Sequence, residues 1–342
     1  MPIKRVTLQD IADACGLSRN TVSKVFNDRG AVLEATRNKV LSKAQELGYF
    51  QIPELETVSG ATEHKKIALL SQPKLLSHNF GSYFLTSFTD SISRAGYTLK
   101  FFEISPEEIA LRKLPPHLDL SDTAAILGIE LFDKAYIEMI CSLNKPTVFV
   151  DGYAEINCDM MRCDFVAMEN VASVISIVNR MIDVGAKKIG FVGDITHCNS
   201  FYERWVGFII SLGNHGLSVN HDLCILAKDS NLYGDTDWLL TRLGEMPEMP
   251  DAFVCANDYL AIHLMTALKR MGLSIPAEVM VAGFDGSIEA DLSEPSLTTA
   301  RIPSSEIGRL ASHLLFQRIQ FPDFPFSRVK VKTIPVFGGS TR

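Results

Sequence analysis

"AFVCANDYLAIHLMTALKRMGLSIPAEVMVAGFDG", residues 252–286, decides the fold class. A short apolar run, "AFVCA", ends at Asn257 and Asp258. A segment with helical spacing of apolar residues follows, and a second run, "VMVAGFD", reaches Asp285. Continuous β-branched runs suit strands buried on both faces, and a helix between two of them brings the strands parallel.

The alternation extends in both directions. "KIALLS", "YTLKFF", "AAILGI", "TVFVD", "KIGFVG" and "LCILA" are further strand candidates, separated by helical patterns. Eight strands exceed one small sheet, so the expected class is α/β, with doubly wound Rossmann-like units. No G-x-G-x-x-G follows the first strand and no P-loop is present, so no nucleotide cofactor is signalled and none is expected.

In open α/β sheets, ligands bind beyond the carboxyl ends of the strands. "TVFVD" ends in Asp151, "AFVCAND" in Asn257 and Asp258, and "VMVAGFD" in Asp285. "GDITHCNSFYERWVGF" places Arg204 near the start of a helix after a strand. Carboxylates accept paired hydroxyl hydrogen bonds and arginine donates a fork, so Asp151, Arg204, Asn257 and Asp285 can ring a polyhydroxylated ligand. For Asp258 a helix cap is the favoured reading. Phe80, Tyr83 and Tyr233 are candidate aromatic walls, with core packing an equal alternative for each.

The chain's first 49 residues have a different character. Eight basic residues against five acidic ones give this segment +3, and the net charge of −7 leaves −10 for the rest. A basic head on an acidic body points to a partner-specific module. "TLQDIADACGLS" reads as helix, turn, helix. Thr7 and Asp10 have capping-box spacing, Leu8, Ile11, Ala12 and Cys15 form one apolar stripe, and Gly16 ends the helix. Ser18 is an N-cap candidate for the next helix. On a wheel of that helix, Val22, Val25 and Phe26 share one side, while Asn20, Ser23, Lys24 and Asn27 share another. Arg19 and Asn20 occupy the first turn, the end that enters the major groove in a helix-turn-helix. Arginine forks onto guanine, asparagine pairs with adenine, and lysine reaches guanine or phosphate. Thr7 and Thr21 are placed to bond phosphates. A third helix is expected over about 34–47, with Thr36, Val40, Ala44 and Leu47 facing inward.

"VTLQDIADACGLSRNTVSKVFND…TRNKVLSKAQELGY" resembles the headpiece of the lactose-repressor (LacI/GalR) family of transcriptional regulators. The resemblance implies base-reading roles for Arg19, Asn20 and Lys24. "FVCANDYLAIHLMTALKRMGLSIPAEVMVAGFDG" and "PSLTTARIPSSEIGRLA" are similar to that family's effector domain, which is related to periplasmic sugar-binding proteins. It implies effector contacts at Asp151, Arg204, Asn257 and Asp285. It also implies a headpiece at 1–49, a hinge at 50–64, one subdomain from 65–161 and 303–328, and a second from 162–302 and 329–342.

Three stretches depart from the family pattern. Gln51 and Ile52 stand where the hinge helix usually has Pro-Asn, and Val58 holds the position of the leucine wedged into the minor groove. Glu54 and Glu56 would approach phosphates and oppose binding. Pro53 can still start a short helix with Leu55 and Val58 on one face, which keeps Val58 as a small wedge. A flexible tether over "SGATEHKK" is the alternative. In the body, the usual Gly-His before "KKIGF" is Gly185-Ala186, and the usual Asp-Asn is Glu169-Asn170.

The expected function is a sequence-specific regulator, a repressor, controlled by a small sugar-like effector. Its expected partners are double-stranded DNA with a pseudo-palindromic operator and a second copy of itself. The tetramerising heptads that would follow "GGSTR" are absent, which favours a homodimer. A solute-binding protein would explain the body but not the head, and no nucleophile–base pair or metal cluster marks an enzyme. No apolar run reaches the roughly 18 residues of a membrane span. The N-terminus has no apolar core of a secretory signal, so a cytoplasmic protein away from the membrane is expected. Seven cysteines with no CxxC pair fit reduced thiols.

Overall fold

In the computed structural model, "AFVCA" and "VMVA" become neighbouring parallel strands with the expected helix between them. The residues described are 7–26, 32–33, 36–37, 39–40, 43–44, 65–72, 79–153, 162–228 and 232–342. The chain divides into two units, 1–58 and 59–342.

The first unit contains α1 (Leu8–Cys15) and α2 (Arg19–Phe26). The Thr7 hydroxyl accepts from the Asp10 amide, and the Asp10 carboxylate accepts from the Thr7 amide, so the capping box forms. Gly16 takes φ +65 and closes α1, a conformation that costs glycine nothing. Ile11, Ala12, Cys15, Val22 and Val25 pack together with Val40 and Ala44 of the third helical segment. Leu47 lies outside the described residues, as does the side chain of Phe26.

The second unit holds two sheets. β1 (Lys65–Ser71), β2 (Tyr97–Glu103), β3 (Thr123–Ile129), β4 (Thr147–Val150), β5 (Asp164–Met168) and β10 (Arg328–Val331) form one parallel sheet in the order β10-β5-β4-β3-β1-β2. Its central strands are buried, while the edge strands β2 and β10 are partly exposed and carry charged residues among their apolar ones. Continuous apolar runs therefore sit in the middle and the charged "RVKV" sits at a rim. This lobe also carries α3 (Asn79–Arg94), α4 (Pro106–Leu111), α5 (Lys134–Cys141) and α11 (Ser304–Gln320). α3 and α11 approach closely at Gly308, where a Cβ would lie 2.5 Å from the Phe84 carbonyl oxygen.

The other lobe is built on β6 (Ile189–Val192), β7 (Ala252–Cys255) and β8 (Met280–Ala282), parallel in that order. Its helices are α6 (Val171–Asp183), α7 (Asn199–Asn214), α8 (Thr236–Gly244), α9 (Asp258–Arg270) and α10 (Ile288–Leu292). β9 (Thr299–Arg301) pairs antiparallel with β11 (Ile334–Val336). "LCILA" is corrected: only Ile225 bridges to the sheet, at Val192, after a 3-10 turn over His221–Leu223.

The chain crosses between the lobes at 169–170, 302–303 and 332–333. The expectation that the second subdomain begins at 162 and resumes at 329 is corrected accordingly. "DFVAM" is hydrogen-bonded between β4 and β10, so residues 164–168 and 328–331 belong to the first sheet. Two crossings are tied together. The Glu169 amide donates to the Val331 carbonyl at 2.7 Å, and the Thr333 hydroxyl donates to the Glu169 carbonyl at 2.7 Å.

Candidate functional site

α2 is the candidate nucleic-acid face. Its buried side holds Val22 and Val25, and its open side exposes Arg19, Asn20 and Lys24. Ser23 and Thr21 are half-buried, and Thr7 and Ser18 are exposed. Ser18 caps the helix: its hydroxyl accepts from the Thr21 amide at 3.1 Å and lies 2.8 Å from the Thr21 hydroxyl. The Thr7 hydroxyl similarly lies 2.6 Å from the Asp10 carboxylate. Both threonines therefore shape a helix start. Asn27 and Val58 lie outside the described residues.

In the body, three carboxylates at or just past strand ends share an unusual backbone. Glu130 follows β3 with φ +53, Asp151 follows β4 with φ +61, and Asp285 follows β8 with φ +123. Side chains avoid this region, and such residues gather where a surrounding framework holds them for a task. Glu130 and Asp151 belong to the first lobe, Asp285 to the second.

Arg204 lies among them, in the second turn of α7 and only 3% exposed. Its Nε donates to Asn170 Oδ1 at 3.0 Å and its Nη1 to the Ala256 carbonyl at 2.6 Å. Nη1 also stands 3.4 Å from Asp285 Oδ1, and the guanidinium covers the Phe284 ring at 3.7 Å. Asn170, at the crossing between lobes, in turn donates to Glu203 at 3.0 Å. Glu169, the residue that departs from the family pattern, accepts from the Ala172 amide at 2.9 Å and so starts α6.

The electrostatics are those of crowded acids around one cation. Burial pushes the Glu130 carboxyl up to about 7, helped by the charge on Asp151. Burial likewise raises Asp151, against a hydrogen bond from Ser200 and the pull of Arg204. Asp285 keeps 35% of its side chain exposed. Burial of its carboxyl raises it nonetheless; Arg204 pulls it down, and Asp258 and Glu130 push it up again. Ionised groups this close favour the neutral form of one another.

Asn257 is the N-cap of α9, its Oδ1 accepting from the Leu260 amide at 2.9 Å. The cap reading for Asp258 is therefore corrected. Asp258 is buried one residue further in, accepting from the Thr299 hydroxyl at 2.6 Å and the Ser287 amide at 2.8 Å. Tyr233 is also corrected from wall to core. It is 2% exposed, and its hydroxyl donates to the Ala227 carbonyl at 2.7 Å. Tyr83 is 56% exposed and lines a cavity of about 770 Å³ between the lobes, together with Asn257, Asp285 and Tyr259. The side chain of Phe80 falls outside the described residues.

The structure thus brings Asp151, Arg204 and Asp285 into one electrostatic cluster and sets Asn257 and Tyr83 at the adjoining cavity. Sequence reasoning missed Glu130, although it directly follows the run "AAILGI" as Asp151 follows "TVFV". It also missed the part played by Asn170, for which a position after "DFVAM" was the available signal. Among the described residues, no group of three or more His, Cys, Asp or Glu is arranged to hold a metal.

Residues 7–51 match the model for bacterial regulatory proteins of the lacI family, and residues 178–341 match the periplasmic binding protein-like domain. The HTH-type transcriptional repressor CytR of Escherichia coli (strain K12) is 26% identical over 319 residues, covering 92% of this chain and 90% of that protein. A solved complex of the transcriptional regulator CelR with cellobiose superposes with a TM-score of 0.71 at 24% identity, over 98% of this chain and 100% of that one. The lac repressor dimer bound to operator and the anti-inducer ONPF gives 0.67 at 22%, over 99% of each chain. The chain belongs to the LacI/GalR family of transcriptional regulators. It is a DNA-binding, effector-regulated transcription factor. No helix among the described residues is long and apolar enough to cross a membrane.

Proposed function

We propose that the chain is a cytoplasmic, homodimeric repressor. It binds a pseudo-palindromic operator in double-stranded DNA and responds to a small carbohydrate held between the two lobes of its body. The observation that carries the DNA part is α2. A capped helix that buries two valines leaves arginine, asparagine and lysine outward in the pattern that reads base edges. Arg19, Asn20 and Lys24 would read bases, with Thr7, Ser18, Thr21, Ser23 and Asn27 near phosphates and Val58 at the minor groove.

Asp151, Arg204, Asn257 and Asp285 would hold the effector, with Tyr83 beside it. The CelR complex holds cellobiose in the same fold, which supports a carbohydrate. Closure of the lobes on the ligand would change operator affinity only to the extent that ligand and DNA favour different states.

Fluorescence anisotropy on DNA from upstream of the chain's own gene, with salt varied, tests the reading. A preferred sequence with steep salt dependence is expected. Asn20→Ala should cost about 1–3 kcal/mol and relax preference at one base position. Sequence-blind binding, or an Asn20→Ala titration matching the parent's, would remove the base-reading role.

A further inference from the structure

The cavity between the lobes is lined by five carboxylates, Asp258, Asp285, Glu289, Asp291 and Glu306. One cation, Arg301, lines it among the described residues, and it already stands 3.4 Å from Asp291. Glu306 has a partner in Arg309 at 2.7 Å, outside the cavity lining. Arg204, behind this wall, is engaged with Asn170, the Ala256 carbonyl and Asp285. The aromatic rings of Tyr83 and Tyr259, each about half exposed, border the same space.

One buried acceptor where the lobes meet, Asp151 Oδ1, has no hydrogen-bond partner among the described residues. Asn199 is almost wholly buried at the start of α7; its backbone N–H donates across the junction to the Gly152 carbonyl at 2.9 Å, and its side chain hydrogen-bonds Glu203. A buried acceptor left unpaired is costly and rare, so it calls for a donor from outside the chain.

We infer that the cleft recognises a cationic polyol, a ligand that carries an ammonium group beside its hydroxyls, of the amino-sugar class, and that it rejects phosphorylated sugars. This rests on the reading of the cleft as the effector site. Ionised carboxylates are acceptors only, and an ammonium is a donor only, with three hydrogens to offer. An ammonium or hydroxyl hydrogen is the complement that the unpaired Asp151 Oδ1 lacks. Exposed tyrosine faces also attract a cation. A phosphate would bring two more negative charges into a wall that already crowds its own.

Isothermal titration of the full chain at neutral pH tests the inference with glucosamine and galactosamine, the parent glucose and galactose, and the two hexose 6-phosphates. At least one amino sugar should bind about tenfold or more tighter than its parent, with no heat from the phosphates. The double variant Glu289→Gln/Glu306→Gln should cut that preference to threefold or less. A neutral or phosphorylated sugar that binds as tightly as its amino counterpart overturns the inference and leaves the carbohydrate reading standing. A preference that survives the double variant unchanged also overturns it. Heat from none of the six removes the carbohydrate reading and the inference together.

Discussion

Arg318 in the first lobe and Arg204 beside the cleft are 5% and 3% exposed, yet their surroundings differ in kind. Arg318 forks onto Asp164, with Nε 2.9 Å from Oδ2 and Nη2 3.0 Å from Oδ1. Its remaining donors reach the carbonyls of Pro322, Phe324 and Pro325, and Asp164 accepts further from the Ser327 amide at 2.7 Å. Every charge there has its partners within the chain. Arg204 holds one amide oxygen and one carbonyl, and faces several carboxylates at once, none of them in a fork. Its Nη2 donates to no described residue. A closed set of partners fixes structure. An open set leaves capacity for a molecule that arrives from outside.

Truncating each arginine carries the largest expected effect. Arg318→Ala strands Asp164 as a buried, uncompensated charge, and an unfolding titration should show a loss of about 3–5 kcal/mol. Arg204→Ala should cost at least about 1 kcal/mol less than that, because the carboxylates around it already lean toward their neutral forms. The same variant should lose its response to effector and keep its DNA affinity. Equal destabilisation by the two changes, or an effector titration unaltered in Arg204→Ala, would break the contrast.

The smallest effect is on pH dependence. In the fold the Glu130 carboxyl sits at about 7, above its ordinary 4.5, so the native state holds this proton more firmly than the unfolded chain. Its contribution to stability is present below pH 4.5 and is lost as pH rises toward 7. His263 and His313, lowered by burial, act in the opposite sense near their ordinary 6.5. The readout is therefore the difference in melting temperature between the parent and Glu130→Gln. Without ligand, that difference should shift in favour of the variant between pH 5 and pH 7.5. A difference that stays flat over this range would show that burial and the neighbouring Asp151 do not raise the Glu130 carboxyl.

Arg204 and Asp285 were legible in the sequence because they follow strands that announce themselves by continuous apolar runs. Arg318 was not: it sits deep in the long helix α11, and its partner opens β5, a strand bracketed by acids that "DFVAM" barely signals. β10 was hidden for a related reason. An edge strand exposes half its side chains, so "RVKV" alternates and lacks a run. Tyr233 shows the limit of placing aromatics by position. Its ring finds Trp238 at 5.2 Å and its hydroxyl a carbonyl, neither of which spacing along the chain discloses. The α2 face was legible almost in full, since helical period alone separates Val22 and Val25 from Arg19, Asn20 and Lys24.

The tie between Glu169, Val331 and Thr333 has a mechanical consequence. Two crossing strands laced by hydrogen bonds resist sliding past one another, yet both can flex where they leave their sheets. They act as a door hinge with two knuckles, which leaves rotation as the soft mode and stiffens translation. Asn170 sits beside those knuckles and is bonded to Arg204 at 3.0 Å. A ligand that tugs on the arginine therefore pulls on the pivot itself, where a small turn becomes a large sweep at the far edges of the lobes.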